Sequence, residues 1–217
     1  MSTTTTTPRT VLQRSQSLSL LAALAIAGQL VLAASALLLP IWSEYGLIGD
    51  NISELVLGRY GLAQTGAFLI VGLGTLALAF AIRKLTAGSW GSLVGSLLIA
   101  IYGAGAILSA IFPTDRIDSQ ADLSALSVTG SIHIGVFIAS FASVIVGMFV
   151  LTRTFRRDHR WSFSRWAVIF PAGALALILV QTEGPLVGLM QRLQVAMVSA
   201  WLILVALNVR SIVTPTK

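Results

Sequence analysis

The chain has 217 residues, of which 56% are hydrophobic and only 10% charged, with a formal charge of +6. A soluble domain carries about 25% charged residues as its polar skin, so this composition excludes an ordinary soluble fold and points to lipid as the solvent of a single bundle. The basic residues sit in short loops between apolar runs, which marks membrane topology and not a nucleic-acid partner, and the lack of cysteine excludes disulfides, thiolate catalysis and cysteine-ligated metals.

Residues 1–16 open with the threonine run Met1–Thr10, too polar to bury anything, and are expected to form a disordered cytoplasmic tail. Six apolar stretches follow, Ser17–Trp42, Gly61–Ile82, Ser92–Phe112, Ser131–Leu151, Trp166–Val180 and Leu193–Val209. All but the fifth approach the ~20 residues that cross ~30 Å of hydrocarbon. The expected architecture is therefore all-α, a polytopic membrane bundle of six transmembrane helices over residues 17–210, with a cytoplasmic tail at 211–217. The first stretch has arginines before it and an Ala33–Ala36 segment resembling a signal cleavage site, but its apolar run continues through Leu39. It is too long for a signal core and reads as an uncleaved anchor. In the third stretch Gly91, Gly95, Gly103 and Ala106 are expected to share a face for packing within the chain, with Gly72 and Gly74 doing likewise on the second. Pro171 predicts a kink in the fifth.

Orientation follows from the Lys/Arg distribution. Arg9, Arg14, Arg83, Lys84, Arg153, Arg156, Arg157, Arg160, Arg165, Arg210 and Lys217 fall on one side, leaving Arg59, Arg116 and Arg192 for the other. The acidic residues divide oppositely, with only Asp158 on the basic side. Both termini are thus expected in the cytoplasm of a cell-membrane protein. The loop Arg153–Arg165 suits an inner leaflet of anionic lipid, near Arg153, Arg156, Arg157 and Arg160. Trp42, Trp90, Trp161 and Trp166 are expected at headgroup depth, and Trp201 in packing.

Polar residues gather in the outer loops. Asp50 or Asn51 is placed to cap a short helix through Ser53, Glu54 and Leu55. Pro113 stops the third helix just before Asp115, and the same loop carries Asp118 and Asp122. His133 lies about one turn into the fourth helix, and an ionisable group within a span is by default a functional candidate. Arg192 begins the sixth helix, where a cation opposes the helix dipole, so a carboxylate partner from Glu54, Asp115 or Glu183 is expected. These positions make Ser53, Glu54, Asp115, His133 and Arg192 the candidate outer-face site, with Asp115 and His133 approaching directly or through one water. No nucleotide, hydrolase or HExxH motif is present, and the two histidines lie on opposite sides, so the sequence names no cofactor. A metal held by one histidine and several carboxylates stays open.

The order of these motifs, Asn51-Ile52-Ser53-Glu54-Leu55, Phe112-Pro113-Thr114-Asp115, Gly130 through His133 and Gly188-Leu189-Met190-Gln191-Arg192, resembles the bacterial six-helix membrane family catalogued as domain of unknown function 998. The resemblance runs from about Leu20 to Val209. In that family's pattern Asp is frequent where this chain has Glu54, and an acidic residue where it has Gln191. The resemblance implies a bundle in a bacterial inner membrane and a set of outer-face residues, and no reaction. Three functions follow as expectations: an enzyme acting on a lipid or lipid-linked substrate, with His133 in acid–base or metal-bound-water chemistry; a transporter or channel component; and an accessory or scaffold subunit. Transport is disfavoured by the lack of charge at mid-bilayer and of an inverted repeat.

Overall fold

The computed structural model describes residues 8–116, 126–180 and 184–214, with side chains from Leu12 onward. Among the described residues six α-helices run in chain order: α1 Pro8–Leu38, α2 Gly61–Leu85, α3 Trp90–Ile111, α4 Val128–Phe155, α5 Ile169–Val180 and α6 Val187–Val213. Short 3₁₀ turns occupy Leu39–Ile41, Ile52–Val56 and Ser162–Arg165, and the described residues include no strand. Five helices are long and apolar enough to cross a membrane. Their outward faces carry Leu62, Leu73, Phe80, Leu97 and Ile138, all more than half exposed, an apolar exterior suited to lipid. The protein is a helical membrane bundle.

Several expectations are revised at the element ends. The structure describes residues 8–16 as the start of α1, with Pro8 at its first position, where a missing N–H costs nothing; the tail assigned to 1–16 is helical from Pro8 onward, and residues 1–7 lie outside the described residues. Likewise α6 continues through Val213 into the segment 211–217, of which residues 215–217 are not described. α5 has 12 residues, about 18 Å at the helical rise. Pro171 occupies its first turn, where its ring displaces no intrahelical donor. Successive turn bonds from Phe163 to Val168 lead into it, including Ala167 N–H to the Phe163 carbonyl at 3.2 Å.

Neighbours in sequence pack as neighbours in space, and α6 closes the bundle against α1, α5 and, more lightly, α2 and α4. The glycines of α3 serve two faces, not one. Gly95 faces α4, where an added Cβ would lie 2.5 Å from Leu151, while Gly103 faces α2, where it would meet the Gly72 carbonyl oxygen at 2.9 Å. Eight residues advance a helix by two turns and about 80°, which separates the two positions. Gly72 mirrors Gly103, its own added Cβ meeting the Gly103 carbonyl oxygen at 2.7 Å. Gly74 and Gly28 admit α1 and α2 to one another in the same way.

Inside, Gln29 of α1 donates to the Thr75 hydroxyl of α2 at 3.2 Å and accepts from Ser199 of α6 at 2.8 Å, tying three helices with uncharged groups. Trp201 donates from Nε1 to Thr152 of α4 at 3.2 Å and is fully buried, a packing role. Trp42, Trp90 and Trp166 are exposed, whereas Trp161 is buried and stacks on Phe155 at 3.9 Å, so it packs within the bundle and does not face outward.

Candidate functional site

The first loop folds back onto the start of α6. Asn51 precedes the 3₁₀ turn Ile52–Val56, and the Glu54 carboxylate accepts the Asn51 N–H at 2.6 Å, the backward half of a capping arrangement. Leu189 N–H reaches the Ile48 carbonyl at 3.0 Å, and the Ile52 N–H is taken by the side-chain oxygen of Gln191 at 2.6 Å. Gly188 has no room for a side chain because the Asp50 carbonyl lies against it. Glu54 is buried and Ser53 half-buried in this contact.

Arg192 completes the staple by a route that differs from the expected ion pair. Its Nε donates to the carbonyl of Ala36 at 3.1 Å, and one terminal nitrogen donates to Asp50 at 2.7 Å and Gly188 at 3.0 Å. All three acceptors are backbone carbonyls, while Glu183, one expected partner, lies outside the described residues. The reason is visible in α1. The helical donor for the Ala36 carbonyl would be residue 40, which is proline and has no N–H. The guanidinium fills that gap and lies at the negative end of the α1 dipole, while Arg192 is itself the sixth residue of α6, past the first turn where a cation would oppose that helix's dipole.

A second junction joins α3 to α4. Ser127 is the N-cap of α4, and Asp115 accepts both its N–H, at 2.6 Å, and its hydroxyl, at 2.8 Å. The Ser127 oxygen in turn accepts the Gly130 N–H at 3.0 Å, so the carboxylate stands at the positive end of the α4 dipole. Gly130 is pressed against that carboxylate and leaves no space for a Cβ. His133 is buried, with Nδ1 at 2.8 Å from the carbonyl of Phe112, the C-cap of α3. A carbonyl only accepts, so Nδ1 carries the proton and Nε2 is the lone-pair nitrogen of the neutral ring. Asp115 and His133 thus secure one junction through different partners and share no direct hydrogen bond. Asp118 and Asp122 lie outside the described residues.

The two junctions border a cavity of about 60 Å³, room for a few waters or a short stretch of acyl chain. His133, Ser53 and Gln191 line it, as do Ser109, Tyr102 and Ser140 of α3 and α4. The remaining wall is apolar, drawn from α1, α2, α4 and α6 and including Leu32, Phe68, Phe137 and Val195. Of the five sequence candidates, Ser53 and His133 line the cavity, whereas Glu54, Asp115 and Arg192 hold its frame. Gln191 and the deeper Tyr102 and Ser109 are additional; isolated polar groups within apolar helical runs were their signal. Tyr45, in the first loop, is buried, with the Arg116 guanidinium carbon 5.7 Å from its ring centre. Burial raises the Tyr45 phenol above its usual range, partly offset by the Arg116 charge. Among the described residues no three His, Asp or Glu side chains cluster as metal ligands.

This arrangement defines a polytopic helical membrane protein with a partly open, mostly apolar cavity beside one polar rim. The chain belongs to the family described as protein of unknown function (DUF998), whose family model matches residues 11–208. No curated protein and no solved structure matches it.

Proposed function

We propose that this protein takes an amphipathic lipid or lipid-linked molecule into the His133 cavity and acts on it as a membrane-embedded enzyme. The observation that carries this reading is that a cavity with apolar walls reaches an imidazole whose Nδ1 is already committed to Phe112. Nε2 is then the base available to the ligand, with the Ser53 hydroxyl and Gln191 amide beside it in the same lining. Asp115, Glu54 and Arg192 are positioning residues in this scheme. The protein would cross the cell membrane, a bacterial inner membrane, six times, with its cavity toward the outer face. Both termini and the loop bearing Arg153, Arg156, Arg157 and Arg160 would lie against the anionic cytoplasmic leaflet, as the excess of Lys and Arg at that end supports.

The test uses the full-length chain in nanodiscs of bacterial lipid extract, with a photoactivatable phospholipid and mass spectrometry of both the protein and the recovered lipids. Cross-links are expected at cavity residues and should fall about tenfold when Ser109→Phe fills the space, a loss of ~1.4 kcal/mol in binding, while the melting temperature holds. A changed lipid species formed by the native chain and absent with His133→Gln supports the enzyme. Capture without conversion replaces it with a lipid-binding accessory subunit, and no capture removes the ligand reading altogether.

A further inference from the structure

At the other end of α3 a larger hollow, of about 450 Å³, opens between the α2–α3 turn and the end of α4. Gly88 takes φ 102°, a left-handed conformation suited to glycine, and turns the chain into Ser89, the N-cap of α3. Trp90 and Gly91 then begin α3 in the wall of the hollow with N–H groups that have no acceptor within the helix. Trp161, stacked on Phe155, lines the hollow as well, and its buried Nε1 has no hydrogen-bond partner among the described residues.

The arginines here are of two kinds. Arg156 is committed to the carbonyls of Ser164 and Arg165, both at 3.1 Å. Arg160 is committed to Asp158, at 2.6 Å, and reaches the Leu85 carbonyl at 3.4 Å. Arg153 and Arg157 line the hollow, are exposed, and make no hydrogen bond or ion pair among the described residues. With Asp158 neutralised by Arg160, two positive charges face a helix N-terminus across a space of this size.

We propose that this hollow binds a phosphate group, with Arg153 and Arg157 as its cationic ligands and the first turn of α3 as the dipole behind it. The exposed indole of Trp90 and the apolar Leu85 and Val150 on its lining favour a phosphate carried by an anionic phospholipid headgroup over a soluble one. The site lies apart from the His133 cavity. It adds to the leaflet assignment above, but its test is made in detergent, where orientation plays no part.

The purified full chain in neutral detergent is titrated separately with short-chain phosphatidylglycerol, short-chain phosphatidylcholine and inorganic phosphate. Phosphatidylglycerol is expected to bind best. The Arg153→Gln/Arg157→Gln pair should weaken it by about tenfold or more, and Arg153→Lys/Arg157→Lys should recover part of the loss. The Lys84→Gln/Arg210→Gln pair removes the same charge from the same end and should change affinity by less than about twofold, the weak effect of diffuse surface charge. Inorganic phosphate binding with the same dependence on Arg153 and Arg157 would keep the phosphate site and assign it a soluble carrier. Equal weakening by the two glutamine pairs, equal affinity for phosphatidylcholine, or no binding of either anionic probe would overturn the proposal.

Discussion

Arg192 and Ala36 are 156 residues apart in sequence, yet the guanidinium Nε of one lies 3.1 Å from the carbonyl oxygen of the other. Pro40 makes that carbonyl available, because it cannot donate to it. The two residues should therefore be coupled. Arg192→Lys, whose ammonium lacks the planar fork that serves several acceptors, is expected to lower stability by about 1.5–3 kcal/mol, the range for hydrogen bonds to charged groups. In a Pro40→Ala background, where a backbone N–H returns, the loss should be smaller by ~0.5 kcal/mol or more. Thermal unfolding of the four proteins of this cycle measures the difference, and strict additivity would refute the compensation.

Glycines of the bundle should rank by what faces them. Gly103→Ala places a methyl against the backbone of α2 and is expected to cost about 1–3 kcal/mol by overpacking. Gly66 and Gly135 have open space where a Cβ would stand, so their alanine variants should be neutral or stabilising by up to ~1 kcal/mol, the helix-propensity gain. Melting temperatures in one detergent give the order directly.

Acid should act on the arginine end through Asp158. Hydrogen bonds from the Arg160 side chain hold its carboxyl below the usual carboxylate range, with burial opposing them. A depressed pKa in the folded state means the contribution is present above the unfolded value and is lost as pH falls through the folded one. The native chain should thus exceed Asp158→Asn in stability at neutral pH and converge with it in acid. The pair is partly exposed, with side chains 44% and 28% accessible, so the gap should be small and should shrink in high salt.

Because the chain has no cysteine, single introduced thiols report orientation without background. Thr129→Cys, beside the α3–α4 junction, should react with an impermeant maleimide in intact cells. Ser162→Cys, in the arginine loop, should react only after permeabilisation. The reverse pattern would invert the proposed topology.

Helix number, the capped turn at Asn51 and the burial of Trp201 were legible because each rests on local chemistry: apolar run length, a capping residue, an aromatic among apolar neighbours. The roles of Arg192 and Asp115 were less so. A cation at a helix start suggests an anion, and only the fold discloses that the end of α1 supplies carbonyl oxygens there instead. Asp115 follows α3 in sequence but serves the cap of α4, a pairing made after the chain has turned back. The α3 glycines were read as one stripe, although an eight-residue step leaves them about a quarter-turn apart. Gln191 stood out as a departure from the family pattern, and its backbone partner at Ile52 could be found only by docking the first loop on the last helix.

That docking fixes when the protein becomes complete. Val195 and Gln191, in α6, wall a cavity whose other sides come from α1 to α4 and the first loop. The same helix carries Arg192, which secures the end of the first. A nascent chain released before α6 would therefore have inserted most of its apolar helices and yet possess neither the full cavity wall nor a fixed first loop. The cavity wall is therefore complete only once α6 has been made, so termination before α6 would leave the earlier helices without the residues that close it.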